Sequence, residues 1–176
     1  VAVENTGPGV TPIQVVVLDG TAAANLLDAN TPASVVAVHG SPDAPDVDLL
    51  ADVRSTATVE AIPLGVGLAF PQFCEIAAVP APGGYTLSVT AAGDPSTVAL
   101  QFDLDVAKGD EFTAIVTGYL ASGTPAIRAL PLINDRRSVI TEAELRVTHG
   151  SPGTGPVDLY LVTDGTVLSA AGTTHA

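Results

Sequence analysis

Val98-Ala99-Leu100-Gln101-Phe102-Asp103-Leu104-Asp105-Val106 is the stretch that decides the fold. Large apolar side chains take every second position, and small or polar ones stand between them. Successive side chains of an extended chain point to opposite faces, so a period of two describes a strand with one buried and one wet face. Tyr85, Leu87 and Val89 alternate in the same way with Thr86, Ser88 and Thr90. Phe112, Ala114 and Val116 alternate, less cleanly, with Thr113, Ile115 and Thr117.

Turn signals separate these runs. Pro82-Gly83-Gly84 precedes one, Gly93-Asp94-Pro95 follows it, and Lys108-Gly109-Asp110 follows the next. Turns about a dozen residues apart are the spacing of a sandwich or barrel. No long window carries a helical period, and only short helical turns are expected, at residues 22–28 and 141–144. The reading is an all-β, antiparallel β-sandwich.

Compared with itself, the chain repeats. Val38-His39-Gly40-Ser41-Pro42 is followed five residues later by Val47-Asp48-Leu49. Thr148-His149-Gly150-Ser151-Pro152 is followed at the same spacing by Val157-Asp158-Leu159, and both pieces recur at one common offset. From His39 to Leu49, seven of eleven positions are identical. A fainter match pairs Thr11-Pro12, before the apolar run Ile13 to Leu18, with Thr124-Pro125, before the run Ala126 to Ile133. The expected organisation is a tandem-repeat unit of about 110 residues, an ordinary size for one domain, with partial flanking repeats. Residues 1–35 are the tail of a preceding repeat, 36–145 a complete one, and 146–176 the head of a following one.

Composition narrows the function. Nineteen acidic against six basic residues give a formal charge of −13, which repels phosphate backbones and anionic lipid headgroups. Nucleic-acid binding is therefore not expected. No apolar run reaches the ~18 residues of a membrane span, so membrane insertion is not expected either. Cys74 is the lone cysteine, read as a small hydrophobe that forms no intrachain disulfide. Val1 in place of an initiator Met is read as a processed or trimmed start. A mean hydropathy of +0.42 is high for a chain with 14% charged residues. Either small apolar residues lie on the surface, or another copy covers part of it.

His39-Gly40-Ser41-Pro42-Asp43-Ala44-Pro45-Asp46-Val47-Asp48 resembles the signature of domain-of-unknown-function family 4397 (DUF4397), His-Ala-Ser-Pro-Asp-Ala-Pro-x-Val-Asp before a short apolar strand. Val79-Pro80 with Pro82 to Val89 is similar to that family's Val-Pro-Ala-Gly-x-Tyr strand. The resemblance covers essentially the whole central unit. It implies tandem Ig-like β-sandwiches in secreted or surface-attached proteins, with no known catalysis. Gly40 departs from the usual Ala, and Gly153-Thr154-Gly155 replaces Asp-Ala-Pro in the second copy. Any role of Asp43 is thus not shared by both copies.

Three kinds of site can be weighed on these residues. His39, Ser41 and Asp46 or Asp48 are the residue types of a hydrolase triad, but no glycine-flanked elbow presents the serine. The motif reads instead as structural: His39, Ser41, Pro42 and Asp48, with His149, Ser151, Pro152 and Asp158 in the second copy. Pro42 fixes φ, Ser and Asp oxygens accept backbone N–H bonds, and His39 ends a strand and bonds loop backbone. Asp43, Asp46 and Asp48 are the candidate metal ligands, with Ca²⁺ the candidate cofactor, although six to eight oxygens are needed and no Ca²⁺ loop motif is present. A zinc role for His39, His149 and His175 is weaker, since they belong to separate segments. Finally, Ile13, Val15, Val16, Val17 and Leu18, with Val157, Leu159 and Leu161, form apolar strands that require partners, and these are the candidate interface.

The expected function follows from the third kind of site. It is a non-enzymatic extracellular or cell-surface protein, structural or adhesive. Its two ends pair within the chain into a small second sandwich, pack against neighbouring repeats of an array, or self-associate, complementing the strands of another copy head-to-tail and so forming a fibre. The alternative is a monomeric surface module that binds calcium or glycan through loops at one end of the sandwich.

Overall fold

The computed structural model describes residues 2–4, 13–21, 23–28, 30–58, 60–121, 123–134 and 145–162. Every regular element among them is a strand. In chain order these are β1 (Ala2–Glu4), β2 (Ile13–Leu18), β3 (Ala23–Leu26), β4 (Ala33–Gly40), β5 (Val47–Val53), β6 (Ile62–Leu68), β7 (Phe73–Val79), β8 (Gly83–Ala91), β9 (Asp94–Val106), β10 (Glu111–Thr117) and β11 (Arg128–Ile133). Two four-stranded sheets, ordered β11-β10-β4-β7 and β6-β5-β8-β9, form a sandwich-like pair, and a third sheet is ordered β1-β2-β3.

The alternation read from the sequence sets the layers. Along β9, Leu104 and Val106 are buried while Gln101, Asp103 and Asp105 face solvent. Val98 is the exception and lies exposed. The register with β8 shifts between Val89↔Leu100 and Thr90↔Val98, and a bulge of this kind moves the following residue off its face. Tyr85, Leu87 and Val89 of β8 and Phe112, Ala114 and Val116 of β10 are buried as their spacing predicts. Ala33, Val35, Ala37 and His39 of β4 point inward from one sheet, and Val47, Leu49 and Ala51 of β5 from the other.

The structure corrects three expectations. The sandwich is not antiparallel throughout: β10 runs parallel to β4, from Glu111↔Ser34 to Thr117↔Gly40. After β4 the chain builds β5 and β6 of the opposite sheet, comes back for β7 on one side of β4, and crosses again through β8 and β9 before β10 takes the other side; only such a long connection lets neighbouring strands run the same way. Residues 23–26 are strand β3, not a helical turn. Asp19 Oδ1 accepts the Thr21 amide and hydroxyl, Gly20 takes a φ of 92°, and the reversed chain pairs with β2. The expected turn at 141–144 lies outside the described residues. Lastly, Gly83 and Gly84 open β8 instead of preceding it, opposite Val106 and Asp105. The Arg54 guanidinium, paired with Asp103 and Asp105, occupies the space a side chain at Gly84 would need.

Candidate functional site

The residues of the first motif meet at one end of the sandwich, where β4 stops and β5 starts. His39 and Ser41 are almost wholly buried there. The His39 ring lies edge-on to Phe70, and its Nε2 is 3.1 Å from the Pro45 carbonyl oxygen. A carbonyl only accepts, so Nε2 is the protonated nitrogen of this contact. Nδ1 then accepts the Ser41 amide at 3.4 Å. The ring closes the turn of residues 41–46 across its base.

Ser41, expected to accept backbone N–H bonds through its oxygen, is a donor instead. Its hydroxyl donates 2.8 Å to the Gly118 carbonyl and, more weakly, 3.3 Å to Asp43 Oδ1. The Asp43 carboxylate in turn accepts the amides of Leu120 at 2.8 Å and Ala121 at 3.1 Å. These backbone bonds hold its carboxyl below the usual carboxylate range, with the Ser41 hydroxyl adding to the effect. The motif turn is thereby fastened to the loop that leaves β10.

Asp48 fastens the other side. Its Oδ1 accepts the Gly67 amide at 2.7 Å and its Oδ2 accepts the Gly93 amide at 2.8 Å. Gly67 and Gly93 both have positive φ, 63° and 77°, and so aim their amides inward at low cost. One buried carboxylate ties the end of β6 to the β8–β9 turn. Asp46 is exposed.

This geometry bears on the sites weighed above. Asp43 and Asp48 spend their oxygens on separate loops, and among the described residues no three His, Cys, Asp or Glu side chains could hold a metal ion. Asp43, Asp46 and Asp48 are therefore not brought together as a calcium site. His39 turns its Nδ1 to the Ser41 amide, not to the hydroxyl, so the pair lacks the base-to-nucleophile contact of a hydrolase. The arrangement is a polar lock joining three loops. Reading the sequence missed Gly67, Gly93, Gly118, Leu120 and Ala121. The first three are signalled only as glycines, and the last two not at all, because what they contribute is backbone.

The second motif folds on its own terms. His149 Nε2 stands 3.2 Å from the Gly155 carbonyl, the equivalent of the His39–Pro45 contact. Ser151 bonds Thr154. Gly153, where the first copy has Asp43, lies against the Tyr119 hydroxyl and leaves no room for a longer residue unless that ring shifts. The Thr117 hydroxyl donates to the Gly150 carbonyl, so this motif abuts the end of β10. His149, Ser151 and Asp158 are exposed, whereas His39, Ser41 and Asp48 are buried. His175 lies outside the described residues.

The apolar interface candidates are also exposed. Val157, Leu159 and Leu161 have 55%, 70% and 93% of their surface exposed, whereas their counterparts Val47, Leu49 and Ala51 have 5%, 3% and 3%. Leu145 and Val147 are exposed where Val35 and Ala37 are buried. On β2, Val15, Val17 and Leu18 are exposed and Val16 is half-buried, while Ile13 pairs with Glu4 of β1. No helix among the described residues is long and apolar enough to cross a membrane.

A family model described as "Domain of unknown function (DUF4397)" matches residues 33–160, from the start of β4 through the second motif. No curated protein matches the chain.

Proposed function

The chain belongs to the DUF4397 family, and on that footing we propose that it is a non-enzymatic, extracellular structural or adhesive protein made of tandem Ig-like sandwich repeats. Its working surface is the segment of the second motif, residues 145–161, which takes up strands from a neighbouring repeat or from another copy.

One observation carries this reading. Residues 145–161 present the same apolar positions that β4 and β5 bury, and here those positions face solvent. Burying a large aliphatic side chain is worth about 1.5–3 kcal/mol, so several exposed in register are a strong incentive for strand addition. The resemblance supports an array at the cell surface, and the charge of −13 suits a protein that must stay soluble until its strands meet. The lock residues of the first motif are committed to backbone, which supports a structural role over catalysis.

The test is size and shape. Negative-stain microscopy and sedimentation of the natural protein are expected to show filaments, or rods of regularly stacked repeats. Deleting residues 1–18, or replacing Val157 and Leu159 with Asn, is expected to shorten or abolish them. A uniform monomer in which amides 145–161 exchange freely would sink the proposal.

A further inference from the structure

The sandwich is closed at one end and hollow at the other. At the motif end the gap between the sheets is about 20 Å³, bounded by Ala37, His39, Leu49 and Leu68. At the opposite end a cavity of about 260 Å³ lies between them, walled by residues such as Val35, Ala51, Leu64, Ile76, Leu87 and Leu104. The shortfall follows from the sequence. Sheets stack about 10 Å apart, and the space has to be filled by side chains. Only 4% of the residues are aromatic, and here Ala51 projects from β5 where a large residue would be needed.

The cavity has a definite mouth. Ile62 of β6, Ala78 of β7 and Pro80 are its exposed wall residues, and β6 and β7 are the edge strands of their sheets. Further along the same edge the strands draw together, because Gly65 leaves room for the Cys74 sulfur. The opening is thus confined to one end of the β6–β7 seam.

The structure assigns this cavity as a binding site for a small, uncharged hydrocarbon of benzene size or somewhat larger. An apolar cavity of about 150 Å³ stays dry and takes up benzene, so this one has room to spare. The Tyr85 hydroxyl is the wall's one side-chain polar group, and it donates 2.7 Å to the Pro80 carbonyl. The wall therefore offers no charged partner, and its one side-chain donor is already engaged. The site is independent of the strand-addition surface described above.

Melting curves of the full chain with benzene, and with benzoate as the charged analogue, test the assignment. Methyl NMR spectra of the same samples localise any binding. Benzene is expected to raise the melting temperature saturably and to shift methyl signals of Leu64, Ile76 and Leu87, while benzoate does neither. Ala51→Leu fills the cavity and is expected to weaken benzene binding at least about tenfold. If that variant does not fold, Ala78→Leu at the exposed mouth serves the same purpose. No response to benzene, an equal response to benzoate, or binding undiminished in the filled variant would each overturn the assignment.

Discussion

His149 stands 3.2 Å from the carbonyl oxygen of Gly155, repeating in the second motif the 3.1 Å contact of His39 with Pro45. In each motif the partner lies only a short turn further along the chain, so the local sequence is enough to make the contact. The surroundings differ: His39 is buried beside Phe70, and His149 is exposed. His39→Ala removes packing as well as a hydrogen bond and is expected to cost about 3 kcal/mol. His149→Ala is expected to stay within about 0.5 kcal/mol in the unassembled chain. Urea unfolding of both variants measures the difference, and equal losses would mean that the second motif is packed as tightly as the first.

Asp48 offers a second comparison between the motifs. Asp48→Ala strands two inward-facing amides, those of Gly67 and Gly93, and is expected to destabilise by about 3 kcal/mol. Asp48→Asn keeps one acceptor oxygen and should lose roughly half as much. Asp158 is exposed, and Asp158→Ala should fall within about 0.5 kcal/mol of the parent chain. Denaturant midpoints at neutral pH decide between these outcomes.

How far the sequence could be read depends on the range of the interaction concerned. Leu104 and Val106 face the core because side-chain parity is a property of adjacent residues, and the two motifs are visible because they recur. The parallel pairing of β4 with β10 is different. It depends on which side of β4 the chain takes after crossing twice to the opposite sheet, and no local pattern records that. Asp43 is similar: its acceptor role was legible, but its donors, Leu120 and Ala121, are 77 and 78 residues away and offer only backbone amides. Residues 23–26 misled because a short Ala-rich stretch suits a helical turn, and the partner strand β2 decided the matter. The hollow end of the sandwich depends on the sum of many side-chain volumes: the low aromatic content records a shortfall of bulk, but not where in the sandwich it falls.

Asp43 gives the acid limb of stability a definite sign. The backbone donors of Leu120 and Ala121 hold its folded-state carboxyl below the usual range. A group whose pKa is lowered on folding contributes stability above its unfolded value of about 3.9. That contribution is lost as pH falls through the folded value. Asp94, lowered chiefly by the Ser96 and Thr97 hydroxyls, acts in the same direction. Asp43→Asn is therefore expected to lower the melting temperature at pH 7 and to flatten its fall below pH 4. Melting curves from pH 2 to 7 check this, and an unchanged acid slope would show that the carboxylate contributes nothing there.

Two glycines separate backbone strain from steric exclusion. Gly93 has a φ of 77° with open space where a side chain would stand, and Gly118 has a φ of 98° with the Ala126 carbonyl in the way. Gly93→Ala therefore incurs only the left-handed penalty, about 1–2 kcal/mol. Gly118→Ala incurs that penalty and must also push back the chain entering β11. That movement shifts the Gly118 carbonyl that the Ser41 hydroxyl reaches and the Leu120 amide that Asp43 reaches. Its total is expected to exceed that of Gly93→Ala by about 2 kcal/mol or more. Equilibrium unfolding gives both values, and amide exchange at Leu120 and Ala121 should speed up in the Gly118 variant alone. Equal losses would mean that the loop after β10 yields freely and that the motif lock is not what holds it.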